Sequence, residues 1–225
     1  MIVYLLAIRH GGSLISGPTA YESVKYGAIP TVLTHCLTEH EVIRGNQILC
    51  AHSGGIPTWA TVFTSMFMHG SILHIGGNML FLWIFGNNVE DSMGPIKYVL
   101  FYLLGGIAAL ALQVAIHPNE VAPTLGASGA IAAVLGGYIV LYPRARVLTL
   151  IFIILFFTVI ELPALIVLGL WFAQQIAFGA AGLTSPGASG GVAYFAHIGG
   201  FVFGLATIRL LATRRRQIPP RYPVY

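Results

Sequence analysis

With 56% of its 225 residues apolar, only 8% charged and a mean hydropathy of +0.82, the chain lies outside the composition of soluble domains and among polytopic membrane proteins. The length holds one helical bundle of about six crossings at roughly 20 residues each, and long apolar runs without period-two alternation exclude a closed barrel. The net charge of +4 gathers in Arg209, Arg214, Arg215, Arg216 and Arg221 behind the last apolar run, which reads as a cytoplasmic anchor and not as a nucleic-acid patch.

Residues 1–8 are apolar but too short to cross a hydrocarbon core of about 30 Å. Either this first crossing continues raggedly to about Ile15, or the chain begins inside a helix whose start is missing; the second is favoured. No basic leader and cleavage site mark a removable signal peptide. Residues 17–58 form a polar loop with Pro18, Pro30 and Pro57, expected to carry short interfacial helices. Cys36 and Cys50 lie there with His35, His40 and His52. A disulfide, a zinc site and two free thiols all remain open, although the spacing matches no standard metal pattern.

Residues 61–87 read as a crossing that contains His69, His74 and Asn78. Polar groups inside a membrane are costly, so they line an interior and mark function or bond to a neighbouring helix. His74 and Asn78 are four apart and share one face. Residues 87–95 read as a polar turn ending in Gly94-Pro95, and 96–116 as the next crossing. After a loop at 117–123 comes a Gly- and Ala-rich crossing, 128–141, that ends at Pro143-Arg144-Ala145-Arg146. The stretch 147–178 is interrupted by Glu161-Leu162-Pro163. It holds either one crossing, with 147–160 in or at the interface, or two. A loop at 179–191 precedes the final crossing, 194–211, which carries His197 in its first turn and Gly200 and Gly204 four apart.

Ser128 sits between Gly126 and Gly129 where a loop turns into a helix, so backbone can approach closely and free N–H groups surround the hydroxyl. The same pattern also serves plain helix packing, and Gly187-Ala188-Ser189-Gly190 nearly repeats it within a loop. Context separates the two. With six crossings and both termini cytoplasmic, Arg144, Arg146 and the tail arginines stay inside, and His74, Ser128 and His197 all fall near the outer starts of their helices. An imidazole there can take the serine's proton and return it to a leaving amine, while His74, Asn78 and the Ser128 N–H stabilise the oxyanion.

The stretches His69-Gly70-Ser71 through His74-Ile75-Gly76-Gly77-Asn78, Gly126-Ala127-Ser128-Gly129-Ala130 and Ala196-His197-Ile198-Gly199-Gly200 with Gly204 resemble the rhomboid intramembrane serine proteases. The resemblance runs from about Tyr21 to Leu211 and includes Phe85-Gly86, Val89-Glu90, Trp171 and Gln174. It implies an all-α rhomboid-like bundle of six helices, with residues 1–212 as one membrane domain and 213–225 as a basic cytoplasmic tail. It implies Ser128 as nucleophile and His197 as general base, with His74, Asn78, Gly126 and Ala127 serving the oxyanion and the substrate chain. No cofactor, metal or nucleic acid is expected.

The implied substrates are transmembrane segments of single-span proteins, cut near the outer boundary of a prokaryotic plasma membrane. Two features depart from the pattern. The position four after the serine, often an aromatic stacked on the base, is Ala132, so Phe195 or Tyr194 is expected to orient His197; and the first outer loop has Trp59-Ala60 where a Trp-Arg pair is common. A non-catalytic relative that binds membrane clients is the second reading, opposed by the presence of both Ser128 and His197. A small transporter is the third, opposed by the lack of inverted repeats.

Overall fold

Caps and breaks at small polar residues cut the apolar chain into rods. The computed structural model describes residues 4, 5, 8, 11–35, 56–153, 156–184 and 191–213. Cys36, Cys50, His40, His52, Ser189 and the arginines from Arg214 onward lie outside the described residues.

Two short helices, α1 (Ala20–Tyr26) and α2 (Pro30–His35), lie in the first loop as expected; the Thr19 hydroxyl caps α1 by accepting the Glu22 N–H at 3.2 Å. They are stitched to the later loop, for Ala28 and Thr124 exchange both backbone hydrogen bonds at 3.2 and 2.8 Å, and Thr31 N–H donates to the Glu120 carbonyl at 3.1 Å. The stretch read as one crossing over 61–87 is broken. Helix α3 (Thr58–Thr64) runs into a tight turn at Ser65–Phe67, and α4 (Ile72–Phe81) starts afresh because the Ser71 hydroxyl accepts the His74 N–H at 3.1 Å. The expected turn at 87–95 is instead helical, since a π-helical turn at Leu82–Gly86 carries α4 into α5 (Asn87–Met93). Only Gly94, at φ +87°, ends the rod, and Pro95 opens α6 (Pro95–Ile116) in its first turn.

Helix α7 (Ser128–Leu141) is the axis of the bundle: every residue from 129 to 138 is buried. At 14 residues it is about 21 Å long, shorter than a hydrocarbon core of about 30 Å. The segment after it turns into strands β1 (Arg146–Ile153) and β2 (Phe156–Pro163), paired antiparallel with Arg146 opposite Pro163. Val, Ile, Thr and Phe dominate this run, which favours a pleated strand over a helix. The hairpin returns the chain to its starting point, for Ala164 N–H donates to the Ala145 carbonyl at 2.8 Å and Leu165 N–H to that of Pro143 at 3.1 Å. Helix α8 (Ala164–Thr184) therefore begins where α7 ended, so the stretch 147–178 holds one helix, preceded by the hairpin.

Helix α9 (Tyr194–Leu211) packs against α7 and α6. A Cβ on Gly200 would run into the Gly129 carbonyl, one on Gly204 into that of Ala133, and one on Gly136 into that of Phe201. Backbone thus meets backbone along the crossing, the close packing that small residues allow where lipid gives no hydrophobic drive between helices. Aromatics fill the other side of α7: Phe85 is edge-on to Tyr138 at 4.9 Å, and Phe172 stacks on Phe201 at 4.2 Å. Among the described residues α6, α8 and α9 are long and apolar enough to cross a membrane, with α7 the shorter apolar helix. The fold is a mostly helical membrane bundle, and among the described residues the hairpin departs from the all-α expectation.

Candidate active site

The α7–α9 crossing brings two chemically active groups together. Gly200 lies one turn after His197 and seats on Gly129, the residue after Ser128. Its depth leaves the Ser128 Oγ 2.8 Å from the His197 Nε2. The pair opens into a cavity of about 590 Å³ lined also by His74, Asn78, Gly126 and Gly129. Ser128 begins α7, so the N–H groups of that first turn have no intrahelical partners, and Ser128, Gly129 and Ala130 all line the cavity.

Gly126 has φ +123°, which glycine adopts without strain, and its N–H donates to the Ser65 carbonyl at 2.9 Å. A Cβ there would lie 2.7 Å from the His74 Nε2 and 3.6 Å from the Ser128 Oγ. Ala127, buried, supplies the carbonyl that accepts the Ile131 N–H and starts the helix. His74 receives the Gly70 N–H on its Nδ1 at 3.4 Å, so its Nε2 carries the proton and points a donor into the cavity. His69 backs it, edge-on at 5.2 Å. Asn78 is buried at 7% exposure, and its Nδ2 has no hydrogen-bond partner among the described residues.

The expected aromatic partners of His197 go elsewhere. Phe195 meets His117 at 5.4 Å and Tyr194 meets Phe178 at 5.6 Å. Trp171 takes that place, its ring 5.8 Å from that of His197. Ala132 is small because α9 crosses there, with the Ala132 Cβ 3.3 Å from where a Gly200 Cβ would stand. Two glutamines complete the surroundings and neither was singled out by the sequence. Gln175, and not its neighbour Gln174, places Oε1 2.8 Å from the His197 Nδ1. Gln113 accepts the Ala196 N–H at 3.3 Å and donates to Glu120 at 3.1 Å, tying the start of α9 to the loop before Ser128. Among the described residues no cluster of three or more metal-ligating side chains occurs.

The model of the Rhomboid domain matches residues 57–214, most of the chain and all of this site. The chain belongs to the rhomboid family. Among curated rhomboids, it is 32% identical over 152 residues to Rhomboid protein 1, mitochondrial, of Saccharomyces cerevisiae, covering 64% of this chain and 40% of that protein. It is 34% identical over 89 residues to Rhomboid-like protein 11, chloroplastic, of Arabidopsis thaliana, covering 40% and 31%. It is 33% identical over 94 residues to the mouse (Mus musculus) Presenilin-associated rhomboid-like protein, mitochondrial, covering 41% and 25%. The chain thus spans two fifths or less of the length of these rhomboids.

All three are named for an organelle. The expectation of a prokaryotic plasma membrane with both termini cytoplasmic is corrected accordingly, since these rhomboids point to an organellar membrane. Hydropathy and arginine bias say that a chain enters a bilayer, and nothing in them distinguishes one bilayer from another.

Proposed function

We propose that this rhomboid-family chain is an intramembrane serine endopeptidase that cleaves transmembrane segments of single-span proteins near the membrane surface. The observation that carries the reading is the 2.8 Å contact between Ser128 Oγ and His197 Nε2, inside a cavity that also holds His74 and Asn78. Membership of the rhomboid family supports it. The organelle-named relatives support an organellar membrane as its setting. In this reading residues 1–212 act as one membrane domain and 213–225 as a basic tail.

Ser128 Oγ attacks the scissile carbonyl carbon while its proton passes to His197 Nε2. The oxyanion that forms is met by the His74 Nε2–H, the Asn78 amide and the N–H groups at the start of α7. Collapse breaks the C–N bond, and the imidazolium returns its proton to the leaving amine. Water then attacks the acyl-serine, giving its proton to His197, and that proton goes back to Oγ as the acid departs. Gly126 lines the cavity beside the serine and leaves room for the substrate chain, which is extended there, because a peptide bond held within a helix is closed to attack. Glu120 and Thr124, in the loop that lines the cavity, offer polar contacts to water on its way to the serine.

The test is labelling of the lipid-reconstituted protein by a fluorophosphonate probe, together with cleavage of a transmembrane peptide rich in small residues. Ser128→Ala and His197→Ala are expected to lose both signals while remaining folded, and Ser189→Ala to keep both. Labelling that survives in Ser128→Ala overturns the assignment. A folded native chain that neither labels nor cleaves would leave a client-binding role in its place.

A further inference from the structure

A base that accepts the serine's proton through Nε2 has to hold its own proton on Nδ1. Neutral imidazole has two tautomers, and the partner at Nδ1 decides between them. His197 meets Gln175 there. An amide offers an acceptor oxygen and a donor nitrogen, so its orientation sets the choice.

That orientation is fixed by a second contact. Gln175 Nε2 donates to the Trp171 carbonyl, one turn earlier in α8, at 3.3 Å. A reversed amide would set oxygen against oxygen. Gln175 Oε1 therefore faces His197 Nδ1, at 2.8 Å, and an acceptor there demands that Nδ1 carry the hydrogen. The His197 Nε2 is left as an acceptor toward the Ser128 hydroxyl, also at 2.8 Å. Gln175 is 5% exposed, and Trp171 holds the face of the same imidazole at 5.8 Å, so α8 constrains both the edge and the plane of the ring. A neutral amide does this without placing a further charge in the membrane interior, where a charge is costly.

We propose that Gln175 is the positioning residue that sets the tautomer and orientation of His197, extending the Ser128–His197 pair into a chain of three hydrogen-bonded side chains. This inference rests on the protease reading above. No proton reaches the amide at any step. When His197 takes the serine's proton it becomes an imidazolium with hydrogen on both nitrogens, and its Nδ1–H stays donated to Gln175 Oε1 throughout. The titratable side chains that line the same cavity are His74 and Glu120, and neither is hydrogen-bonded to the imidazole.

The experiment compares the native chain with Gln175→Leu, Gln175→Met and Gln175→Glu in lipid, reading the maximal rate of fluorophosphonate labelling, the probe's half-saturating concentration and the thermal midpoint. Leu and Met remove the acceptor; Glu keeps an acceptor oxygen at the same reach. The maximal rate is expected to fall about 10²-fold in the Leu and Met variants, the low end of what a positioned general base supplies. Half-saturation should stay within about twofold of native, because the probe's ground-state contacts are untouched. Gln175→Glu is expected to recover most of the rate, although its contact with the Trp171 carbonyl is lost. Native rates in a folded Leu or Met variant overturn the inference and leave the protease reading standing. A loss that Glu does not rescue, or one that follows the thermal midpoint across the three variants, also overturns it, since that is what a packing role gives. If the native chain fails to label, the protease reading falls first and this inference with it.

Discussion

Asn78 carries a buried amide nitrogen with no partner among the described residues, at a cost of about 1–3 kcal/mol for an unsatisfied donor. Such a donor is useful where an acceptor appears only during reaction. In the proposed protease that acceptor is the oxyanion, so Asn78→Ala should lower kcat by about 10²–10³ with KM within about twofold. The same substitution removes the unsatisfied group, so the thermal midpoint should hold or rise. A raised KM at native kcat, measured on a transmembrane peptide, would place Asn78 in ground-state binding instead. At this scale the sequence carries residue types and their order but not rotation about a helix axis. Ser128, His197, His74 and Asn78 stand out because each is a polar group in an apolar run. Gln174 and Gln175 are adjacent and alike in composition, and only the turn of α8 decides which one reaches His197. Ala132 likewise reads as a missing aromatic until α9 is seen to occupy that space.

Among elements, the α7–α9 crossing sets the geometry on which the chemistry depends. Its glycines leave no room for a methyl group: a Cβ on Gly200 would meet the Gly129 carbonyl carbon at 3.0 Å and its oxygen closer still. Gly200→Ala should therefore push α9 away from α7, lowering stability by about 1–3 kcal/mol and parting His197 from Ser128. A misplacement of about 1 Å costs roughly 10² in rate. Gly169 on α8 is the matched control, since a Cβ there meets nothing within 4 Å. Gly169→Ala should keep labelling and raise stability by about 0.5–1 kcal/mol through helix propensity. Thermal unfolding and fluorophosphonate labelling of the two variants read both effects, and equal behaviour would remove the crossing from its role. The spacing of Gly200 and Gly204 announces this packing before any coordinates. The break at 68–71 is less legible, because a serine cap acts through one hydrogen bond within an otherwise continuous apolar run.

For the whole molecule, the hairpin is the element least like the rest, and its register gives it a sense of direction. Arg146, Leu148 and Leu150 share one face with Val159 and Glu161, and Phe157 lies on that face nearer the tip. Arg146 and Glu161 pair at the base, 3.6 Å apart. Leu148, Leu150, Phe157 and Val159 above them are 44, 50, 71 and 55% exposed. An apolar face of this kind with a charged base suits a bilayer surface, charges in the headgroups and apolar tip beneath. Its depth is bounded, because two strands leave edge N–H and C=O groups that hydrocarbon cannot satisfy. A tryptophan at the tip is thus expected to lie just under the headgroups. In the difference spectrum between Phe157→Trp and native protein, lipids brominated near the glycerol should quench the added emission more than lipids brominated near the chain end. Equal quenching by both would mean a deeper insertion than open edges permit, and no quenching by either would mean that the hairpin stands away from the membrane. The composition of 147–160 marks it as membrane-seeking but not as strand or helix. Only the return of the chain to Ala145, through the Ala164 hydrogen bond, shows that this run folds back to the end of α7.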